Sequence, residues 1–196
     1  MRHYLSVGPT SEPVIPQDVI ADRGMGTADA TAALPVLTRL ITTARMQAEE
    51  KTGRALITQT WIAKLDDWPY CDEGQRIQLP VQKVQSITSI TYTDTNGDSQ
   101  TLAADQYQLT GWDSSIIAPT YGVVWPSLYN DVDVVTITWA AGYGDDASDV
   151  PEPIKSWIIM QAGTLYENRE AAAQGQPFNL FPLADGLLDF YKVIRA

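Results

Sequence analysis

The apolar positions of this chain change period twice along its length. From Leu34 onward Leu37, Leu40, Ile41, Ala44 and Ala48 recur at three- and four-residue spacing. Pro35 suits a first helical turn and Gly53 a C-terminal stop, so the pattern predicts a helix over 34–52. Between 56 and 140 the period shortens and β-branched and aromatic residues dominate. Strands are predicted at 56–65, 76–79, 84–93, 101–109, 115–125 and 132–140. Asn96-Gly97, set between two of them, predicts a hairpin closed by a type I′ turn with both residues at positive φ. The helical period returns over 150–170, where Ile154, Trp157, Ile158, Gln161, Ala162 and Leu165 share one stripe behind Pro151 and Pro153.

The flanks are patterned differently. Gly8, Pro9, Pro13, Pro16, Gly24 and Gly26 break up the first 27 residues, which read as an N-terminal arm with a short helix at 17–22. Residues 171–182 are small and polar, interrupted by Gly175, Pro177 and Pro182, and 183–194 has the makings of a short terminal helix. The predicted class is α+β: a small helical core of two long helices plus short terminal helices, with an inserted antiparallel β-rich lobe. The predicted organisation is an arm at 1–27, a core at 28–170 and a tail at 171–196. No internal repeat is visible at a period of about 20–50 residues, which argues against a solenoid or propeller.

Composition narrows the function classes. A chain of 196 residues with 44% hydrophobic side chains can bury one sizeable core. Its 24 acidic and 13 basic residues leave a net charge of −11, which disfavours a sequence-independent grip on nucleic-acid phosphates. Such a surface suits a protein that nucleic acid must pass without adhering, and it serves plain solubility equally well. Cys71 is the only cysteine, so neither an intrachain disulfide nor a cysteine-based zinc site is expected. The start has no signal-like apolar stretch, and no run of about 18 apolar residues occurs. Cytosolic synthesis and no membrane span are therefore expected.

The candidate chemistry is thin. His3 is the only histidine and lies in the presumed arm, a poor place from which to build a hydrolytic triad. Neither G-x-G-x-x-G nor a P-loop occurs, and Gly24-Met25-Gly26 is only a stub. Asp94 to Asp98, with Asp105, resembles a calcium loop. Its glycine stands fourth instead of sixth and no glutamate closes it, so a hairpin turn is the better reading. Asp145, Asp146 and Asp149 read as a cap for the second long helix. The Asp66/Asp67 pair and the many aromatics would suit a glycosidase or a sugar binder. Trp61, Trp125 and Trp139, however, fall in strand patterns and Trp157 on a helical stripe, which leaves Trp68 and Trp112 as the expected surface tryptophans. No catalytic residue, metal or cofactor is assigned, and an enzyme is not expected.

Three groups of residues carry a resemblance. The first is the stretch Thr52-Gly53-Arg54-Ala55-Leu56-Ile57-Thr58-Gln59-Thr60-Trp61, followed by Ile77-Gln78-Leu79-Pro80 and Val84-Gln85-Ser86-Ile87-Thr88-Ser89-Ile90. The second is Ala141-Gly142-Tyr143-Gly144 with Val150-Pro151-Glu152-Pro153-Ile154-Lys155, and the third is Leu165-Tyr166-Glu167-Asn168-Arg169-Glu170. In order and spacing the chain resembles the head-tail connector (adaptor) proteins of tailed phages and gene transfer agents over about residues 34–170, and more weakly at Leu187 to Tyr191. The first 30 residues depart from the pattern: the short N-terminal helix usual there is here poor in bases and interrupted by Gly24 and Gly26.

The resemblance implies a virion structural protein made in the bacterial host cytoplasm and placed in the particle neck. It implies a ring, commonly of twelve subunits, beneath the portal protein. That ring extends the channel through which DNA passes during packaging and ejection, without sequence-specific binding, and offers a docking surface to a stopper or tail-completion protein. Arg39, Arg45, Glu49, Glu167, Arg169 and Glu170 read as exposed charges on the two long helices, available for pairing between subunits or simply solvated. Phe178, Phe181, Leu183, Leu187, Leu188, Phe190 and Tyr191 follow a flexible spacer and suit an arm that orders on a partner, which the resemblance makes the portal. The alternative is that this tail folds back on its own domain. Deleting Phe178–Ala196 is expected to abolish portal binding and leave a folded domain if the arm reading holds. From another class, a monomeric β-rich carbohydrate-binding module is the alternative function.

Overall fold

A computed structural model of the chain describes residues 1–69, 75–168 and 182–193. The fold is α+β and divides into two compact units. Met1–Pro9 joins Thr58–Tyr143 in a β unit, and Thr10–Ile57 joins Gly144–Ala196 in a helical unit.

Among the described residues the β unit holds eight strands: β1 (Arg2–Val7), β2 (Gln59–Leu65), β3 (Ile77–Gln78), β4 (Val84–Thr93), β5 (Ser99–Thr101), β6 (Tyr107–Thr110), β7 (Ile116–Pro119) and β8 (Val135–Ala141). Five form an antiparallel sheet in the order β1-β2-β8-β4-β5, and β3-β7-β6 form a second, three-stranded sheet. Pairing of Trp61 with Trp139 and Ala63 with Ile137 sets the register between β2 and β8. Alternation along β8 then buries Val135, Ile137, Trp139 and Ala141 and leaves Thr136, Thr138 and Ala140 half-buried on the opposite face.

Several sequence expectations change here. The segment read as an arm contributes the edge strand β1, which pairs with β2. The single strand expected at 101–109 divides: Leu102 donates its amide to Ile90 and turns into the core, Ala104–Gln106 make a 3-10 turn, and β5 and β6 fall in different sheets. The strand expected at 115–125 ends at Pro119, because Thr120 to Val123 close a turn with Gly122 at φ 80°. The hairpin at Asn96-Gly97 is present but is not type I′. Only Gly97 has positive φ (87°), the Gly97 amide bonds Asp94 O at 2.9 Å and the Asp94 amide bonds Asp98 O at 2.9 Å. That is a type I turn with a glycine bulge, held further by the Asp94 carboxylate, which accepts the amides of Asn96 and Asp98. Trp68 is buried, stacked on Trp125 at 4.7 Å, and donates to Pro126 O, so it is not a surface residue.

The helical unit contains α1 (Pro16–Arg23), α2 (Thr27–Thr52), α3 (Glu152–Glu167) and α4 (Pro182–Asp185), which runs on into a 3-10 turn, Gly186–Tyr191. Helix α2 starts seven residues earlier than 34 and keeps Pro35 in its interior. The Ala-rich run before Leu34 has strong helix propensity, and Ala33 continues the buried row Leu37, Ile41, Ala44 and Ala48 by one turn. Gly53 ends α2 in the left-handed conformation, φ 70°, returning its amide to Glu49 O. Asp146 and Asp149 bond each other's backbone around the 3-10 turn Ala147–Asp149 and not around α3, whose N-cap is Pro151. No helix among the described residues is long and apolar enough to cross a membrane.

Candidate assembly surfaces

The charged residues expected on the surface of α2 have different fates. Arg39 is exposed. Arg45 is not: it lies one turn beyond Ile41 on the buried side of α2, its side chain 7% exposed. Its guanidinium donates to Glu12 at 2.8 Å and to Glu49 at 2.6 Å. Glu12 also accepts from Thr42, and Glu49 from the Leu56 amide, so one buried cation ties the segment before α1, the middle of α2 and the turn after it. The signal was present in the sequence, since Arg45 sits four residues after Ile41 and three before Ala48. On α3 Glu167 is exposed and paired with Arg23 at 3.0 Å. The Arg23 guanidinium lies against the backbone of Gly163, where no larger residue leaves it room, and donates to Met160 O. Arg169 and Glu170 lie outside the described residues.

The C-terminal segment packs back on α2 and α3. Leu188 is fully buried and Ala184 nearly so. Asp185 accepts from Trp157 Nε1 at 3.1 Å and from Lys51 Nζ at 2.9 Å, and the Val193 amide donates to Thr52 O. Burial acts to raise the Asp185 carboxyl. The hydrogen bonds from Lys51 and Trp157 and the charges of Lys51 and Lys192 outweigh it, so the pKa lies below the ordinary carboxylate value. Leu187 and Tyr191 are half-buried, whereas Phe190 stands 92% exposed. Phe178, Phe181 and the side chain of Leu183 lie outside what the structure describes.

The β unit presents other features that periodicity did not reveal. Trp112 is 81% exposed, as expected, on a loop in which Gly111, Asp113 and Ser114 all have positive φ. Buried Ser115 holds that loop: its hydroxyl donates to Trp112 O and accepts from Gln78, and its carbonyl takes the Leu79 amide. Tyr121 is fully exposed at the tip of the next turn. From Val84 to Tyr143 the chain carries six carboxylates and no Lys, Arg or His. His3 lies on exposed β1, its ring 6.0 Å from that of Trp61. Among the described residues no three acidic, His or Cys side chains come together as a metal site.

No protein-family model matches the sequence, and no curated protein matches it significantly. Solved structures do match in fold, over the whole chain. A chain from the neck of an empty gene transfer agent (GTA) particle, computed with C6 symmetry, superposes with a TM-score of 0.82 at 20% identity, covering 100% of this chain and 97% of that one. A chain of the native GTA virion gives 0.80 at 22% identity with the same coverage. A chain of the native GTA neck, computed with C12 symmetry, gives 0.72 at 18% identity, again with 100% and 97% covered. The chain therefore has the fold of these neck and virion chains from one end to the other.

Proposed function

We propose that this chain is a non-enzymatic structural subunit of the neck of a tailed-phage or gene-transfer-agent particle, a connector that forms a ring beneath the portal. The observation that carries the reading is the end-to-end likeness to GTA neck chains, at a TM-score of 0.82 over 97% of the matched chain. The C6 and C12 symmetries of the matched necks support a ring. A ring needs two unlike contact surfaces on each subunit, and the exposed Arg39 on α2 and exposed Trp112 belong to different units. Exposed Phe190, flanked by half-buried Leu187 and Tyr191, is the proposed portal anchor, since a few aromatic side chains that fill a partner's pocket can carry much of an interface's binding energy. The net charge of −11 fits a lumen that DNA crosses without adhering, and the opposite rim would take a stopper or tail-completion protein.

Native mass spectrometry of the purified chain, alone and mixed with the portal ring of its particle, tests this. One copy per portal subunit, with twelve in the complex, is the expected result. A chain that stays monomeric and ignores the portal overturns it.

A further inference from the structure

The β unit is built from two separate pieces of chain, and the smaller piece is a single strand. Residues 2–7 form β1, the chain then leaves to build residues 10–57 of the helical unit, and only afterwards does it return as β2. Strand β1 is outermost in its sheet, pairs among the described residues with β2 alone, and has all six residues exposed. Its attachment thus rests on main-chain hydrogen bonds, the ring contact of His3 with Trp61, the ion pair of Arg2 with Asp133 at 2.6 Å and a longer one with Asp66, with no β1 residue buried. Beyond residues 8–10 the chain is firmly held. The Ser11 hydroxyl donates to Asp145 O, Glu12 belongs to the buried Arg45 cluster, and Val14 is 2% exposed. Only Gly8, Pro9 and Thr10 lie between, a reach of about 10 Å.

We propose that in the assembled ring β1 is exchanged, so that the outer edge of β2 in each copy is covered by residues 2–7 of a neighbouring copy. This rests on the ring reading above and adds the contact that closes it. The occupant of the β2 edge is known to fit, because Arg2 opposite Lys64, His3 opposite Ala63, Tyr4 opposite Ile62 and Leu5 opposite Trp61 is the register already seen. Every one of those contacts is indifferent to which copy supplies the strand. Donor and acceptor are different surfaces, so the contact is head-to-tail, as a ring requires. Closure also explains when exchange occurs. An open chain of copies leaves one β2 edge bare at its end, whereas a closed ring covers all of them. The free chain keeps its own strand, and assembly trades it.

The test is a pair of cysteines across the register, Tyr4→Cys with Ile62→Cys, in a Cys71→Ser background. Residues directly opposite in an antiparallel pair have Cβ atoms about 4.5–5.5 Å apart, close enough to bridge with little adjustment. Arg2→Cys with Lys64→Cys is the second pair, should the first fail to fold. Oxidation of the free chain is expected to give an intrachain bond and a monomer on a denaturing gel. Oxidation after assembly on the portal ring is expected to give a covalent ladder that collapses on reduction. A chain bridged internally beforehand is expected to lose incorporation into the ring and regain it with reductant. Rings that assemble but yield only internally bridged monomers overturn the exchange and leave the connector reading standing. A reduced chain that never assembles overturns the connector reading, and the exchange with it.

Discussion

Removing the Arg45 guanidinium would leave the carboxylates of Glu12 and Glu49 facing each other across a mostly buried site. Arg45→Ala is therefore expected to cost about 3 kcal/mol, read as a lowered urea midpoint, because two carboxylates at a mostly buried site each lose a charged partner. Arg45→Lys recovers only part of that, since a single ammonium cannot serve both carboxylates with the fixed fork of a guanidinium. Two tryptophans form a contrast at the same scale. Trp139→Ala empties the centre of the β unit and is expected to cost about 3–5 kcal/mol. Trp112→Ser removes a side chain already in water and is expected to shift stability by under about 0.5 kcal/mol, which equilibrium unfolding would check. Such differences are hard to read from residue type. Trp68 and Trp112 look alike in the sequence, and only tertiary contacts, the stacking on Trp125 and the hydrogen bond to Pro126 O, separate them.

Among the elements, the terminal segment is the one whose role changes most. With Leu188 buried and Asp185 bonded to Trp157 and Lys51, deleting Phe178–Ala196 is expected to lower the stability of the helical unit as well as any portal affinity. Phe190→Ser is the cleaner probe of binding, since Phe190 is solvent-exposed. Docking of this segment is also expected to depend on pH. The Asp185 pKa is depressed in the folded state, so its contribution is present above the ordinary carboxylate value of about 4 and lost as pH falls through the lower folded value. Amide exchange over 184–193 should accelerate in that acid window, and Asp185→Asn should abolish the dependence. The β4–β5 hairpin offers a test of backbone strain. Gly97→Ala at φ 87° is expected to cost about 1 kcal/mol in thermal unfolding, because an added Cβ penalises that conformation.

At the scale of the molecule, charge sets behaviour towards DNA. At a net charge of −11 the chain is expected to cause no mobility shift of duplex DNA even near 50 mM salt, where phosphate contacts are strongest. A shift that weakens with added salt would place a basic surface where the sequence shows none.

The sequence by itself determined the two long helices, the β-rich insertion between them and the acidity of the whole. These follow from local periodicity and composition, which need no partner to be read. The buried rows of α2 and of Ile154, Trp157 and Ile158 on α3 were legible for that reason. Tertiary structure alone decided that residues 2–7 are a strand, because an edge strand with every residue exposed carries no periodic apolar signal. It also split 101–109 between two sheets, supplied Glu12 from 33 residues away as the partner of Arg45, and folded Leu188 onto α2 and α3. Each of these depends on contacts between residues distant in the chain, where pairing energy outweighs local preference.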